Sequence, residues 1–282
     1  MQKKILYCCL FLSIFKLAAQ DNKPTDFLLT HNSKNIELGS ISISDPYLSP
    51  ISYTGALVKV SSDNKKILSL KHNKITSQFK WTSAVGMLYN PTYTSGLLYF
   101  GTNYQVGVYY NFWSNSSFQL LGGSVADIDF GSKYMPRNIN NPYNLDLSTN
   151  LNLSAIAHYN IPIKKRIFKL AFSLQSPLVG YMFGPDYGTS YYEMFSLGNL
   201  DNCFHLSSIH NKRALKSDFI INIPFNKFNL HVGVGINLLK YSANSLVFKQ
   251  NEYKILVGTS VNLYKFAGSK KTAPSNFISP IN

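Results

Sequence analysis

Between residues 145 and 160 the chain reads LDLSTNLNLSAIAHYN, with apolar and polar side chains in alternation. The odd positions Leu145, Leu147, Leu151, Leu153, Ala155, Ala157 and Tyr159 are apolar, broken only by Thr149; the even positions are polar apart from Ile156. Successive side chains of a strand point to opposite faces, so the segment predicts one strand with an oily face and a polar face. Soluble sheets carry the same alternation, but typically over about 5–6 residues. Sixteen residues of it exceed the roughly 9–11 that a tilted strand needs to cross a bilayer.

The pattern recurs. Ile75, Phe79, Trp81, Val85 and Met87 oppose Thr76, Gln78, Lys80 and Thr82. Leu98, Phe100, Tyr104, Val106, Val108, Tyr110 and Phe112 oppose Gly101, Asn103, Gln105, Gly107 and Asn111. Further runs of the same kind occupy 118–130, 168–175, 215–223, 228–237 and 253–263, the last with Lys254, Gly258, Ser260 and Asn262 on its polar face.

Buried Lys, Asp, His and Asn side chains are costly unless water or partners satisfy them. Lipid outside and a polar interior satisfy both faces at once, and only a closed barrel leaves no unpaired edge in hydrocarbon. A soluble periplasmic β-sandwich is the competing fold, and it gives no reason for strands this long. Tight turns are predicted near 113–117, 161–166 and 223–227, and longer connections at 131–145, 176–213 and 241–252. Transmembrane barrels keep short turns on the periplasmic side and long loops outside. On that convention the last strand, 253–266, descends, 51–61 descends, 74–90 rises, and IELGSISI (36–43) supplies the first rising strand. The expectation is an all-β, closed antiparallel transmembrane barrel of ten strands over 36–266, with eight and twelve as the neighbouring even counts. Residues 21–35 read as a flexible N-terminal segment and 267–282 as a C-terminal tail.

The first residues, MQKKILYCCLFLSIFKLAAQ, have the form of a secretory signal. Lys3 and Lys4 precede an apolar run from Ile5 to Phe15, and Ala18-Ala19-Gln20 is a small-residue cleavage site. The run is too short for a membrane-spanning helix, which takes roughly 20 residues. Cleavage after Gln20 removes Cys8 and Cys9 and leaves Cys203, so no intramolecular disulfide is expected. Leu6-Tyr7 stands before the cysteine pair, where a lipoprotein signal wants small residues. Losing Lys3, Lys4 and Lys16 takes the balance from 27 basic against 13 acidic to 24 against 13, a net +11. On an exported chain with scattered lysines, that balance reads first as solvated loops and turns; as a partner surface it suits anionic lipid or lipopolysaccharide phosphate rather than nucleic acid.

Two stretches, DPYLSPISYTG (45–55) and SPLVGYMFGPDYGTSYYEMFSLGN (176–199), with KYMPRNINNPYNLDLSTNLNLSAIA (133–157) between them, carry a resemblance. Together they resemble an uncharacterised family of outer-membrane β-barrel proteins from Bacteroidetes, a domain of unknown function. The likeness spans about 45–265. It implies a signal peptide, an outer-membrane location and a barrel; it implies no activity, substrate, cofactor or catalytic residue. The tail AGSKKTAPSNFISPIN after Phe266 departs from barrel chains that end on a terminal-strand aromatic.

Candidate chemistry is sparse. Asp127 and Asp129 share an inward face and His158 faces inward on the next strand, which invites comparison with paired-acid barrel proteases. The simpler reading is a polar interior in which Asp127, Asp129 and His158 bond with Lys80 or Lys169. A Ser190, His205, Asn202 nucleophile set has no supporting spacing, and His205 and His210 fall on opposite strand faces. Gly233 and Gly235 relieve interior crowding rather than forming a dinucleotide loop. No metal site or cofactor is expected. The aromatic connection FGPDYGTSYYEMFSLGN (183–199) is read as an inward cap built on Phe183, Tyr187, Tyr191, Tyr192, Glu193 and Phe195. Its rings would stack on Tyr99 and Tyr109, and Glu193 would meet a basic side chain such as Lys80. An interfacial aromatic belt and a ligand-binding outer loop are the alternatives. The function expected is a non-enzymatic outer-membrane barrel, a narrow pore or a structural or interaction protein, with loop 176–213 over its mouth. Outer-membrane lipid, lipopolysaccharide and the barrel-assembly machinery are its expected partners, with a small solute unspecified. A barrel enzyme acting on lipid or peptide, and a soluble periplasmic binding protein, are the competing functions.

Overall fold

The computed structural model describes residues 27–68, 73–139, 141–164, 166–225, 228–263 and 277–281. The expected signal sequence and its cleavage site lie outside these residues. The elements run β1 (Phe27–Leu28), β2 (Thr30–Ser44), β3 (Tyr53–Leu68), β4 (Ile75–Tyr89), β5 (Gly96–Ser114), β6 (Phe118–Tyr134) and β7 (Tyr143–Ile163). They continue as β8 (Arg166–Phe183), the short helix α1 (Tyr191–Phe195), β9 (Phe204–Ser208), β10 (Lys212–Pro224), β11 (Asn229–Ala243), β12 (Leu246–Leu263) and β13 (Phe277–Ile278).

β2 to β8 and β10 to β12 pair antiparallel with their neighbours in chain order. β12 pairs with β2 from Lys249↔Ser44 to Leu263↔Thr30, and β10 pairs with β8 from Lys216↔Gln175 to Asn222↔Lys169, which closes a ten-stranded barrel. The upper part of β8 takes β9 instead, from Val179↔Ser208 to Phe183↔Phe204, so one wall is extended beyond the rim of β10. Pro177, which cannot donate to a ladder, sits where the β7–β8 register shifts beside Leu151/Asn152.

The two faces separate as the alternation requires. On β7, Leu151 and Leu153 point outward and are exposed, while Asn150, Asn152, Ser154 and His158 point inward and are buried. On β5, Phe100, Tyr104, Val106 and Val108 face out and Gln105 is buried inside. The connections also separate. One end, the turn end, holds 115–117, Lys164, Phe225, Phe228 and the residues 73–74 before β4; the other, the loop end, holds 45–52, 90–95, 135–139, 141–142 and 184–211.

Several expected boundaries are corrected. The first barrel strand starts at Thr30, not 36, so 30–35 are not a flexible segment, and the next runs Tyr53–Leu68 rather than 51–61. His31, Ser33 and Asn35 face inward there, but the outward Asn32 and Lys34 are polar too, so the oily alternation is missing. Connection 131–145 shrinks to 135–142, and 176–213 shrinks because β8 continues to Phe183 and β9 takes 204–208. The expected connection 241–252 is a two-residue hairpin turn between β11 and β12. Asn244 (φ 48) and Ser245 (φ 62) both adopt the left-handed conformation that such turns need. Lys249 to Glu252, polar on both faces, continue β12 at the loop end.

Apolar packing inside the barrel is concentrated at the loop end. Ile41, Ile43, Tyr47, Leu48, Tyr53, Leu57, Leu88, Leu97, Met135 and Phe248 form one buried cluster, with Tyr99, Tyr191 and Tyr241 packed against it. The 45–52 loop is therefore folded into the mouth. Of the C-terminal tail, Pro280 is fully buried, and Ile281 lines the interior at the turn end.

Candidate functional site: a sealed mouth over a charged lumen

The inward face builds two linked polar systems. In the middle of the barrel, Lys254 reaches Glu37 at 2.7 Å and Asp218 at 3.0 Å, and Lys80 lies 3.9 Å from Asp218. Lys59 pairs with Glu252, whose carboxylate also accepts from Asn237 and Gln250, both at 2.8 Å. Across the lumen, Lys216 meets Asp127 at 3.3 Å and Asp129 at 3.8 Å. Asn150 donates to Asp127 at 2.7 Å, Asn103 donates to Asp129 at 2.6 Å, and Lys212 donates to Asn150 Oδ1 at 2.8 Å. Buried charges of this kind are tolerable only when paired and hydrogen-bonded. Gly235 makes room for them: a Cβ there would stand 2.3 Å from Asp218 Oδ1 and 2.4 Å from Lys254 Cε.

The second system closes the loop end. Lys133, wholly buried on β6, binds Asp45 of the β2–β3 loop at 2.5 Å and Asp146 of β7 at 2.9 Å, with its ammonium 4.0 Å from the centre of the Phe248 ring. Asn144 donates to Asp45 at 2.7 Å, and Tyr241 donates to Asp146 at 3.1 Å. α1 is tied to this cluster. Tyr191 Oη accepts from the Leu145 amide at 2.6 Å and donates to Asn144 Oδ1 at 2.8 Å, and its ring meets Tyr47 edge-on at 6.0 Å. Tyr47 Oη donates to the Thr189 carbonyl at 2.6 Å. Burial, and then the nearby Asp45 carboxylate, push the Tyr47 phenol up to about 12. Beneath α1, Met194 packs on Phe183 and on Cys203, the free cysteine among the described residues, whose thiol burial pushes upward.

The aromatic connection is thus divided. Phe183 and Tyr191 face the mouth, whereas Tyr187, Tyr192 and Phe195 are exposed at 73 %, 67 % and 59 %. The expected stacking partners are corrected. Tyr191 reaches the cluster around Tyr99, but Tyr109 lies deeper, bonded to Gln78 at 2.9 Å and Ser154 at 3.0 Å. Glu193 does not meet Lys80. It caps α1, accepting from the Ser190 amide at 2.8 Å while Ser190 Oγ accepts from the Glu193 amide at 3.2 Å.

Lys80, Asp127, Asp129 and His158 line the main interior cavity, and Lys169 lines a smaller one at the turn end. The acid pair's cation is Lys216, not Lys80 or Lys169. His158 is eight residues along β7 from Asn150, the register partner of Asp127, or on the order of 27 Å at the rise of a strand. No acid–imidazole dyad forms there. Ser190 is committed to its helix cap, His205 Nε2 lies 3.0 Å from the Gly184 carbonyl, and the Asn202 carbonyl accepts from Asn244 at 2.8 Å. Asp45, Lys133 and Asp146, the centre of the seal, are the residues sequence reasoning missed. No local signal joins them, but the Ser190-x-x-Glu193 capping box that positions α1 is readable.

The main cavity measures about 250 Å³ and the smaller one about 160 Å³. Among solved structures, the outer membrane protease OmpT from Escherichia coli is similar, with 6% identity over 87% of this chain and 99% of that one, at a TM-score of 0.52. The translocator domain of the autotransporter NalP from Neisseria meningitidis matches 94% of this chain and 96% of its own at 9% identity and a TM-score of 0.42. Neisserial surface protein A matches at 10% identity, covering 82% and 96%, with a TM-score of 0.33. At such identities the first likeness establishes an outer-membrane-type β-barrel fold and nothing about activity. No curated protein sequence matches the chain. A family model described as "Protein of unknown function (DUF3316)" matches residues 4–270, and the chain belongs to that family.

Proposed function

We propose that the protein is a non-enzymatic outer-membrane barrel that works as a narrow pore, held shut at its outer mouth. The loop end faces the outside, the turn end faces the periplasm, and the outward apolar side chains meet lipid. The observation that carries this reading is the seal itself. Two separate segments, the 45–52 loop and α1, are locked across the mouth through Lys133, Asp45, Asp146 and Tyr191. Below the seal the lumen is polar and holds about 250 Å³, too little for more than a small solute in a barrel this narrow.

Supporting the absence of catalysis, each acid of the pair is bonded to Lys216 and an Asn amide rather than facing a histidine. The exposed rings Tyr187, Tyr192 and Phe195 favour a second role, contact with lipopolysaccharide or the outer interface, where aromatic side chains with polar tips are stable. Swelling of proteoliposomes in small sugars tests the pore. Wild-type protein should pass them slowly, and a folded variant lacking 186–197 and 267–282 should pass them faster. Impermeability of both would remove the pore and leave the structural and surface-contact role.

A further inference from the structure

At the turn end the lumen carries a cluster that the seal and the mid-lumen ion pairs do not use. His31, His158 and His231 point inward there, together with Lys65 and Lys169. Two of the three imidazoles have hydrogen-bond partners. His31 Nδ1 lies 2.9 Å from Asn262 Oδ1, and His231 lies 2.8 Å from Ser260 Oγ through Nε2 and 3.3 Å from Asn35 Oδ1 through Nδ1. His158 is different. Its side chain is 3 % exposed, it lines the cavity, and neither ring nitrogen has a hydrogen-bond partner among the described residues. A buried polar group in that state is costly, so it needs a partner from the cavity it faces.

The charge beside it says what kind of partner. His158 pairs with Ala171 and Asn160 with Lys169 across β7 and β8. Lys169 is therefore the diagonal inward neighbour of His158, about 7–8 Å away between backbones. Lys169 forms no ion pair among the described residues; its ammonium donates at 3.0 Å to the Ile281 carbonyl. Lys65 is also within electrostatic reach of the three rings. Its acid, Asp63, is 3.7 Å away and is held by Gln78 through both oxygens at 2.9 Å. Among the described residues the cluster thus offers one ammonium without an acid partner, one partly compensated ammonium and an imidazole with no hydrogen-bond partner. Neutral imidazole supplies an N–H donor, and ammonium groups favour oxygen anions. Ile281 lines both the main cavity and the smaller one beside Lys169, so a tail carbonyl already occupies one coordination position of that ammonium.

We propose that the turn end of the lumen is a binding site for a small oxyanion of the phosphate or carboxylate class. Lys169 and Lys65 supply the charge, and His158 donates to an oxygen. The site does not depend on whether the barrel conducts.

The test uses the folded mature protein in detergent, with inorganic phosphate as probe and the imidazole nitrogens followed by nuclear magnetic resonance. Phosphate should shift the His158 ring signals saturably and leave those of His210, on the opposite end, unmoved. Lys169→Gln should weaken the apparent affinity about tenfold or more, as loss of one charge-assisted bond does, and Lys65→Gln should weaken it less. Both variants are checked for heat-modifiable migration on gels. Because Lys169 borders the smaller cavity and its replacement is uncharged and polar, Lys169→Gln is the variant expected to fold. His158 signals that do not respond to phosphate would mean that only water satisfies the ring, and the proposal fails. It fails equally if His210 shifts in parallel, or if folded Lys169→Gln binds phosphate as wild type does.

Discussion

Lys133 on β6 and Asp45 in the loop after β2 meet at 2.5 Å, with the lysine side chain wholly out of solvent. The bond holds a connection that would otherwise lie over the rim, and it places Tyr47 and Leu48 inside the mouth. Asp146 and the Phe248 ring complete the surroundings of the ammonium. Removing one partner of a buried pair leaves the other charge stranded, at a cost of about 3–5 kcal/mol. Lys133→Met should therefore lower the unfolding free energy by that order, with a correspondingly lower midpoint in denaturant, while the barrel still assembles. Equal midpoints for wild type and variant would show that the pair does not hold the loop.

Adjacent residues on β8 separate the two faces. Phe172 points out and is exposed, whereas Ser173 lines the interior cavity across from Asp218, its β10 register partner. Arginine on the lipid face near the midplane costs roughly 2–4 kcal/mol. Phe172→Arg should lower the yield of folded, heat-modifiable barrel, and Ser173→Arg, with a carboxylate and cavity to receive it, should be tolerated better. Leu151 and Asn152 make a poorer pair, because Asn152 is 2 % exposed and donates to the Val125 carbonyl at 3.0 Å. Equal yields for the two arginine variants would contradict the two-face account.

Gly235 is a packing requirement of the ion network. Its hydrogen stands where a Cβ would come within 2.3 Å of Asp218 Oδ1 and 2.4 Å of Lys254 Cε. Gly235→Ala should force Lys254 away from Asp218 and destabilise the barrel by about 1–3 kcal/mol. An unfolding midpoint unchanged by the substitution would mean that the lysine reaches its acids by another route.

The bond from Tyr47 to the Thr189 carbonyl carries a pH signature. Its phenol is raised from an ordinary value of 10.0 to about 12, chiefly by burial. A raised folded-state value means the contribution is complete below pH 10 and is lost as pH climbs through about 12. The stability difference between wild type and Tyr47→Phe, about 0.5–1.5 kcal/mol for one hydrogen bond, should be constant from pH 7 to about 9. It should vanish by pH 12. A difference that grows over that interval has the wrong sign for a phenol that must stay protonated.

Local alternation made the barrel readable wherever the outward face is oily, as along Leu151 to Tyr159. It failed where a strand is polar on both faces. Asn32 and Lys34 are outward at the turn end, and Lys249 and Asn251 at the loop end, so β2 looked shorter and the first residues of β12, up to Glu252, looked like part of a loop. The short helix was missed although Ser190 and Glu193 carry its capping signal, and their reciprocal bonds outweigh a distant lysine as a destination for the acid. The seal was not readable, because Asp45, Lys133 and Asp146 come from three elements whose meeting depends on barrel closure. The same holds for the turn-end cluster, where His31 and Lys65 are register partners in the closed sheet and Lys169 lies on another strand.

Single-channel conductance in planar bilayers tests the sealed-mouth account most directly. Three folded, heat-modifiable forms are compared: wild type, a variant lacking 186–197 and 267–282, and that variant with Asp45→Ala and Lys133→Ala added. The account predicts rare or small openings for wild type, larger steps once α1 and the tail are gone, and the largest when the 45–52 loop is also released. Conductance that stays the same through all three forms would contradict it.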